Sequence, residues 1–313
     1  MTDHPSKYAA LLDDEVWAFV HETERYYPAE TATMEIAEQR AIYDRMCRAF
    51  HHGYPDAVTA MDAVVEGVPV RRYRMAGSGR SGRVVYFHGG GFVVGGLESH
   101  DDVCAELCAG TGLPVTAVDY PLAPEQVFPA DYEACLAVTR AVLAEGDGPV
   151  LLVGDSAGGS LCASVSAALR GEARRPAGQV LIYPGLSGDV SAPSFEEHSN
   201  APMLTRDDCI FYKSVRTGGD EAKLADPRCS PLKDTDFAGL PPTVAVAAEC
   251  DPLADNAREY VSKIRAAGGD ARLIEEPGLV HGYLRARATV TRARESFTRI
   301  VGAVDELAAR SGG

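Results

Sequence analysis

The sequence predicts an α/β fold with a mostly parallel central sheet flanked by helices. Two observations carry that prediction. From about residue 68 onward short β-type runs recur, and several are apolar at nearly every position, which suits strands covered on both faces. Between them lie stretches with apolar groups at helical spacing, long enough to supply the cover. The chain has 313 residues and is 46% hydrophobic, enough to bury a substantial core. One compact domain carrying additions is the expected organisation.

The elements follow in order. Over residues 7–50, Leu12, Val16, Phe19 and Val20, then Ile36, Tyr43, Met46 and Phe50, recur at helical spacing, so two amphipathic helices divided near Pro28 are expected. Strands are expected at 68–75, 83–87, 114–118, 149–153, 179–183, 243–248 and 271–275. The helical stretches between them include 129–145, 158–170 and 254–267. Residues 184–242 interrupt this alternation, far beyond a usual loop of roughly 4 to 6 residues, so an insertion lies there. Within it, 205–216 opens on Thr205, a fitting N-cap, and is expected to be helical. Residues 289–309 read as a surface helix.

The charge balance narrows the partners. With 45 acidic against 30 basic side chains the formal net charge is −15, which repels nucleic-acid phosphates and anionic lipid headgroups. Nucleic acid is therefore excluded as a partner, and solubility is the simplest use of the acidity. No apolar run approaches the roughly 18 residues that span a bilayer, so no stable membrane insertion is expected. The opening MTDHPSKYAA lacks a basic start followed by an apolar stretch, and a cytoplasmic location is the expectation. Eight cysteines are scattered without a Cys-x-x-Cys pair and read as small buried hydrophobes. Cys104 and Cys108 could share a helix face, but no further ligand stands at metal spacing, so no metal site is expected.

Chemistry enters after the strand 149–153. Gly154-Asp155-Ser156-Ala157-Gly158 sits between that strand and a helix-compatible run, and the glycines allow a sharp turn that exposes the serine. The helix behind it directs its N-terminal amides at the point where acyl transfer develops negative charge. His88-Gly89-Gly90-Gly91-Phe92 follows the strand 83–87 directly, and its exposed amides can form an oxyanion hole together with that of Ala157. A phosphate cradle is the competing reading of this loop. It fails because no Gly-Lys-Ser/Thr follows and Val94 breaks the Gly-x-Gly-x-x-Gly register.

A serine hydroxyl needs a base to take its proton and a carboxylate to orient that base. Two histidines, His198 and His281, follow Ser156, and His281 also follows a carboxylate at a strand end, Asp251. That position projects over the carboxyl edge of the sheet, where ligands bind in open α/β folds. Asp255 is the nearest rival, although four residues later it belongs to the next helix.

From about residue 55 to the C-terminus the chain resembles the bacterial hormone-sensitive-lipase family of α/β-hydrolases. The motifs stand in that family's order: HGGGF at 88–92, DYPLAPE at 119–125, FPA at 128–130, GDSAGG at 154–159, GLPPT at 239–243, DPLAD at 251–255 and HGY at 281–283. The resemblance implies an α/β-hydrolase fold with a triad of Ser156, Asp251 and His281 and oxyanion donors from Gly89, Gly90 and Ala157. It also implies a helical cap. On that basis residues 1–55 are an N-terminal cap segment, 56–186 and 226–313 the catalytic domain, and 187–225 a cap insertion. Two positions depart from the family: Pro121 stands where Arg is common, and Tyr283 where Phe is common, beside the pocket at His281.

The expected activity is hydrolysis of short- to medium-chain carboxylic esters through an acyl-enzyme, with a small-molecule ester as partner and no cofactor. An amidase, deacetylase or lactonase would use the same triad. A ligand-binding relative, like the plant gibberellin receptors, would have lost the histidine that His281 supplies. A homodimer in which the C-terminal helix packs against a second copy is also implied.

Overall fold

In a computed structural model residues 7–28 and 30–310 are described. Three helices come first: α1 (Tyr8–Leu11), α2 (Asp14–Glu24) and α3 (Ile36–Ala49). The chain breaks at Leu12 because Asp13 turns extended and caps α2, accepting from the N–H of Val16 at 3.0 Å. Sequence spacing alone had merged α1 with α2. The rest alternates as β1 (Val58–Val65), β2 (Val68–Met75), β3 (Arg83–Phe87), α4 (Asp101–Thr111), β4 (Val115–Val118), α5 (Ala130–Ala144), β5 (Val150–Asp155), α6 (Ala157–Leu169) and β6 (Gly178–Ile182). Two helices of the insertion follow, α7 (Pro193–Glu197) and α8 (Arg206–Thr217). The chain closes with β7 (Thr243–Cys250), α9 (Ala254–Ala266), β8 (Ala271–Val280) and α10 (Thr291–Arg310).

Among the described residues the strands form one eight-stranded sheet in the order β1-β2-β4-β3-β5-β6-β7-β8. β2 pairs antiparallel with β1 and β4, and every pair from β4 to β8 is parallel. Successive side chains enter opposite layers. Val84, Tyr86, Leu151 and Val153 join the core under α2, α3, α4 and α10, whereas Val85, Phe87, Leu152 and Leu181 join the one under α5, α6 and α9. Strands buried on both faces read as continuous apolar runs, which is why β3 to β7 stood out in the sequence.

Three expectations need correction. β1 is absent from the sequence reading because VTAMDAVV lies on an edge and buries little beyond Val58, leaving Met61 and Val64 exposed. β8 runs five residues beyond the expected 271–275. Pro277 and Gly278 suggest a stop, but on the outermost strand a missing ladder donor is tolerated, and the Gly278 N–H is taken by Glu249 Oε2 at 2.7 Å. The C-terminal helix is more than a surface element: α10 buries Ala293, Phe297, Ile300, Val304 and Leu307 against the sheet and α4.

The insertion helix forms as expected. Thr205 Oγ1 accepts from the N–H of Asp208 at 3.1 Å, and the Asp208 carboxylate accepts from the N–H of Thr205 at 2.8 Å, a reciprocal cap on α8. α8 is then fixed to the body by a buried ion pair, Arg216 Nε to Asp131 Oδ2 on α5 at 2.7 Å. The Arg216 guanidinium also lies 3.6 Å from the centroid of the Phe92 ring.

Candidate active site

The site is built where β5 runs into α6. All six residues of β5 are buried, and Ser156 follows with φ 53° and ψ −115°, a strained conformation for a residue with a side chain. Its N–H is held by the Ile182 carbonyl at 2.8 Å. The turn demands a residue without a side chain at position 158, since a Cβ there would run into the carbonyl oxygen of Phe87 at the end of β3. Tight packing of β3 against the start of α6 therefore explains the second glycine of the motif and lifts the Ser156 hydroxyl clear of the backbone.

His281 stands just beyond β8 and Asp251 just beyond β7. Ser156 Oγ lies 2.9 Å from His281 Nε2, and His281 Nδ1 lies 2.7 Å from Asp251 Oδ2. Asp251 is fully buried, and its other oxygen accepts from the N–H of Leu253 at 2.8 Å. The imidazole is steadied from the side by the Tyr183 ring at 4.7 Å. The rivals are engaged elsewhere. Asp255 accepts from the N–H of Ser194 at 2.8 Å and pairs with Arg258, and His198 meets the Tyr8 hydroxyl at 3.1 Å.

The loop after β3 faces the serine. His88 is buried, stacked on Tyr120 at 4.3 Å, with Nδ1 2.8 Å from the Gly89 carbonyl oxygen. Burial first, and the neighbouring His100 second, push its pKa down to about 4, so it is a neutral brace rather than a second base. Gly90 adopts φ +127°, and a Cβ there would strike the Val94 carbonyl.

One expected oxyanion donor is misplaced. The Gly89 N–H already donates to Asp155 Oδ1 at 2.9 Å, so it is turned into the protein rather than toward the serine. Gly90, Gly91 and Ala157 line the cavity, and among the described residues no acceptor takes their N–H groups.

Asp155 is the residue that sequence reasoning passed over. Besides Gly89 it accepts from the Tyr86 hydroxyl at 2.8 Å and lies 3.2 Å from His100 Nε2 and 3.5 Å from the Tyr183 hydroxyl. Burial by itself would raise its pKa, but the His100 contact and the Tyr86 bond, with the charge of Arg285, hold the carboxyl below the usual range. It thus ties the strand that leads into Ser156 to the glycine loop. The signal was present, a carboxylate directly before the serine, but nothing in spacing says which amide it serves.

The triad opens on a cavity of about 890 Å³. Its floor is Ser156, His281 and the glycine loop, and its walls come from α2 and α3 through Thr23, Tyr43 and Met46 and from the insertion through Leu204 and Tyr212. Tyr283 is not part of it. Its hydroxyl bonds Ser296 of α10 at 2.6 Å and its ring meets edge-on, at 5.2 Å, the Tyr183 ring that packs on His281.

The family described as the alpha/beta hydrolase fold matches residues 84–285. The chain belongs to the α/β-hydrolase family. This α/β-hydrolase is 36% identical over 227 residues to a carboxylesterase of Mycobacterium tuberculosis, covering 69% of this chain and 70% of the relative. It is 31% identical over 271 residues to an ethyl acetate hydrolase of Pseudomonas putida, covering 80% and 83%. Among solved structures, an esterase from the bacterial hormone-sensitive lipase family superposes with TM-score 0.87 at 26% identity, covering 95% of this chain and 99% of that one. A hyperthermophilic esterase of the archaeon Pyrobaculum calidifontis does so with TM-score 0.87 at 27% identity, covering 95% and 99%. The motif-based assignment to the hormone-sensitive-lipase group therefore holds. Among the described residues no helix is long and apolar enough to cross a membrane.

Proposed function

We propose that this α/β-hydrolase is a serine carboxylesterase that cleaves short- to medium-chain esters through a covalent acyl-enzyme. The observation that carries the reading is the hydrogen-bonded path from Ser156 Oγ through His281 to Asp251, at 2.9 and 2.7 Å, opening on a cavity large enough for a small ester. The names of the relatives, carboxylesterase and ethyl acetate hydrolase, point the same way.

Ser156 Oγ attacks the ester carbonyl carbon while its proton passes to His281 Nε2, and Asp251 stabilises the imidazolium formed. The carbonyl oxygen becomes an oxyanion, which we assign to the N–H groups of Gly90, Gly91 and Ala157. Collapse expels the alcohol, which leaves with the proton from His281, and water repeats the sequence to free the acid and regenerate Ser156. Protons and electron pairs balance within these groups and water, so the chemistry calls for no cofactor.

In this reading residues 1–55 and 187–225 are the cap that shapes the cavity, and 56–186 with 226–313 carry the chemistry; 1–6, 29 and 311–313 of these spans lie outside the described residues. Its remaining parts are a cytoplasmic location and a homodimer. Eight buried, unpaired cysteines suit a reducing compartment, and the dimer would use the outer face of α10, which sedimentation checks. The test of the activity is Ser156→Ala: kcat on p-nitrophenyl acetate should fall by about 10⁴-fold or more, with the circular dichroism spectrum unchanged. Activity near the wild-type level would overturn the assignment.

A further inference from the structure

The cavity wall contains a cation that no carboxylate contacts, although its charge is felt at Asp155. Arg285 lies one short turn past His281 and lines the same cavity. Its guanidinium touches neutral groups: Nε lies 3.4 Å from Cys47 Sγ, the Tyr43 hydroxyl bonds Nη2, and the charge sits 4.8 Å from the centroid of the Tyr43 ring. Among the described residues no carboxylate forms an ion pair with it. The contrast with its neighbours is clear, since Arg216 on the same cavity is neutralised by Asp131 at 2.7 Å and Arg287 is paired with Asp102 and Glu106.

The acids that line the cavity are Glu24, Asp155, Asp207 and Asp208, and Glu24 has an interaction of its own. The oxygens of Asp155 are engaged by Tyr86, Gly89, His100 and Tyr183, and the cap at Thr205 takes Asp208. Asp207 is exposed.

An arginine is charged at any working pH, and removing it from water without a counter-ion is costly. Its planar fork matches a carboxylate, and such charge-assisted bonds are the strong ones. Arg285 has used one donor on a thiol and one on a phenol, which leaves fork donors for a ligand. We propose that Arg285 is a specificity determinant that binds a carboxylate on the substrate, so that the preferred esters are acidic ones, such as half-esters of short dicarboxylic acids or acyl esters of hydroxy acids. This rests on the esterase reading of Ser156 and His281.

The test compares kcat/KM, by titrating released acid, for monoethyl succinate, glutarate and adipate with that for ethyl butanoate, pentanoate and hexanoate. A parallel arm compares acetyl esters of ω-hydroxy acids with alkyl acetates, and so assigns the carboxylate to the acyl or the alcohol side. Wild type should favour the acidic ester in at least one arm. In Arg285→Met the acidic-to-neutral ratio should fall by about 10- to 100-fold, and Arg285→Lys should recover part of it. Should Arg285→Met fail to fold, inhibition of wild type carries the same question: glutarate should compete with a neutral ester far better than glutaramide does. A ratio indifferent to Arg285, or a wild type with no acidic preference and equal inhibition by the two compounds, would overturn the proposal. Those outcomes leave hydrolysis of neutral esters intact, whereas a failure of the esterase reading would abolish it.

Discussion

Asp155 and His88 hold the glycine loop in place beside Ser156. Asp155 fixes Gly89, and His88, braced by Tyr120, fixes the strand end from which the glycine loop departs. Because His88 is buried in its neutral form with a pKa near 4, against about 6.5 in the unfolded chain, it makes stability depend on pH. The unfolded chain binds a proton first, so this contribution is whole above about pH 6.5 and is lost as pH falls toward 4. Urea unfolding should accordingly give a free energy about 2 kcal/mol lower at pH 5 than at pH 7 from this group, and His88→Gln should flatten that difference. An equally steep dependence in the variant would remove His88 as its source. At this scale the grouping of Ser156, Asp251 and His281 was legible because order along the chain and placement at strand ends select these three. The roles of Asp155 and Gly89 were not legible, since they depend on which amide faces which oxygen across two strands. Arg285 was hidden for the same reason: a charged residue beside a loop gives no sign that its partners are a thiol and a phenol.

At the scale of elements, the insertion must be held over the cavity, and α8 is held by its buried pair to α5. Arg216 and Asp131 are both almost fully buried, so removing one partner leaves an uncompensated charge. Arg216→Met should lower the unfolding free energy by about 3 to 5 kcal/mol, and adding Asp131→Leu should restore part of that loss. A single variant as stable as wild type would show that α8 is anchored by its other contacts, such as the Phe128 N–H to the Arg216 carbonyl at 2.9 Å. The same scale explains which elements the sequence revealed. Strands covered on both faces, β3 to β7, announce themselves by composition. Edge strands do not: β1 alternates weakly, and β8 carries a Pro-Gly pair that would end an interior strand.

For the whole molecule, the parallel run from β4 to β8 brings the ends of β5, β7 and β8 to one edge of the sheet, and with them Ser156, Asp251 and His281. α2, α3 and the insertion then close a cavity over that edge. The arrangement of layers followed from apolar periodicity, but the shape of the cavity did not, because it depends on side chains from segments far apart in the chain. The proposed activity depends on Ser156 being a nucleophile activated by His281. Its most direct test is mass spectrometry after treatment with a fluorophosphonate, on the wild type and on His281→Ala. A Ser156 activated in this way gives a single adduct in the wild type, formed in step with loss of esterase activity, and labelling slowed by orders of magnitude in the variant. A folded wild type that leaves Ser156 unlabelled, or that loses activity through an adduct elsewhere, would contradict it.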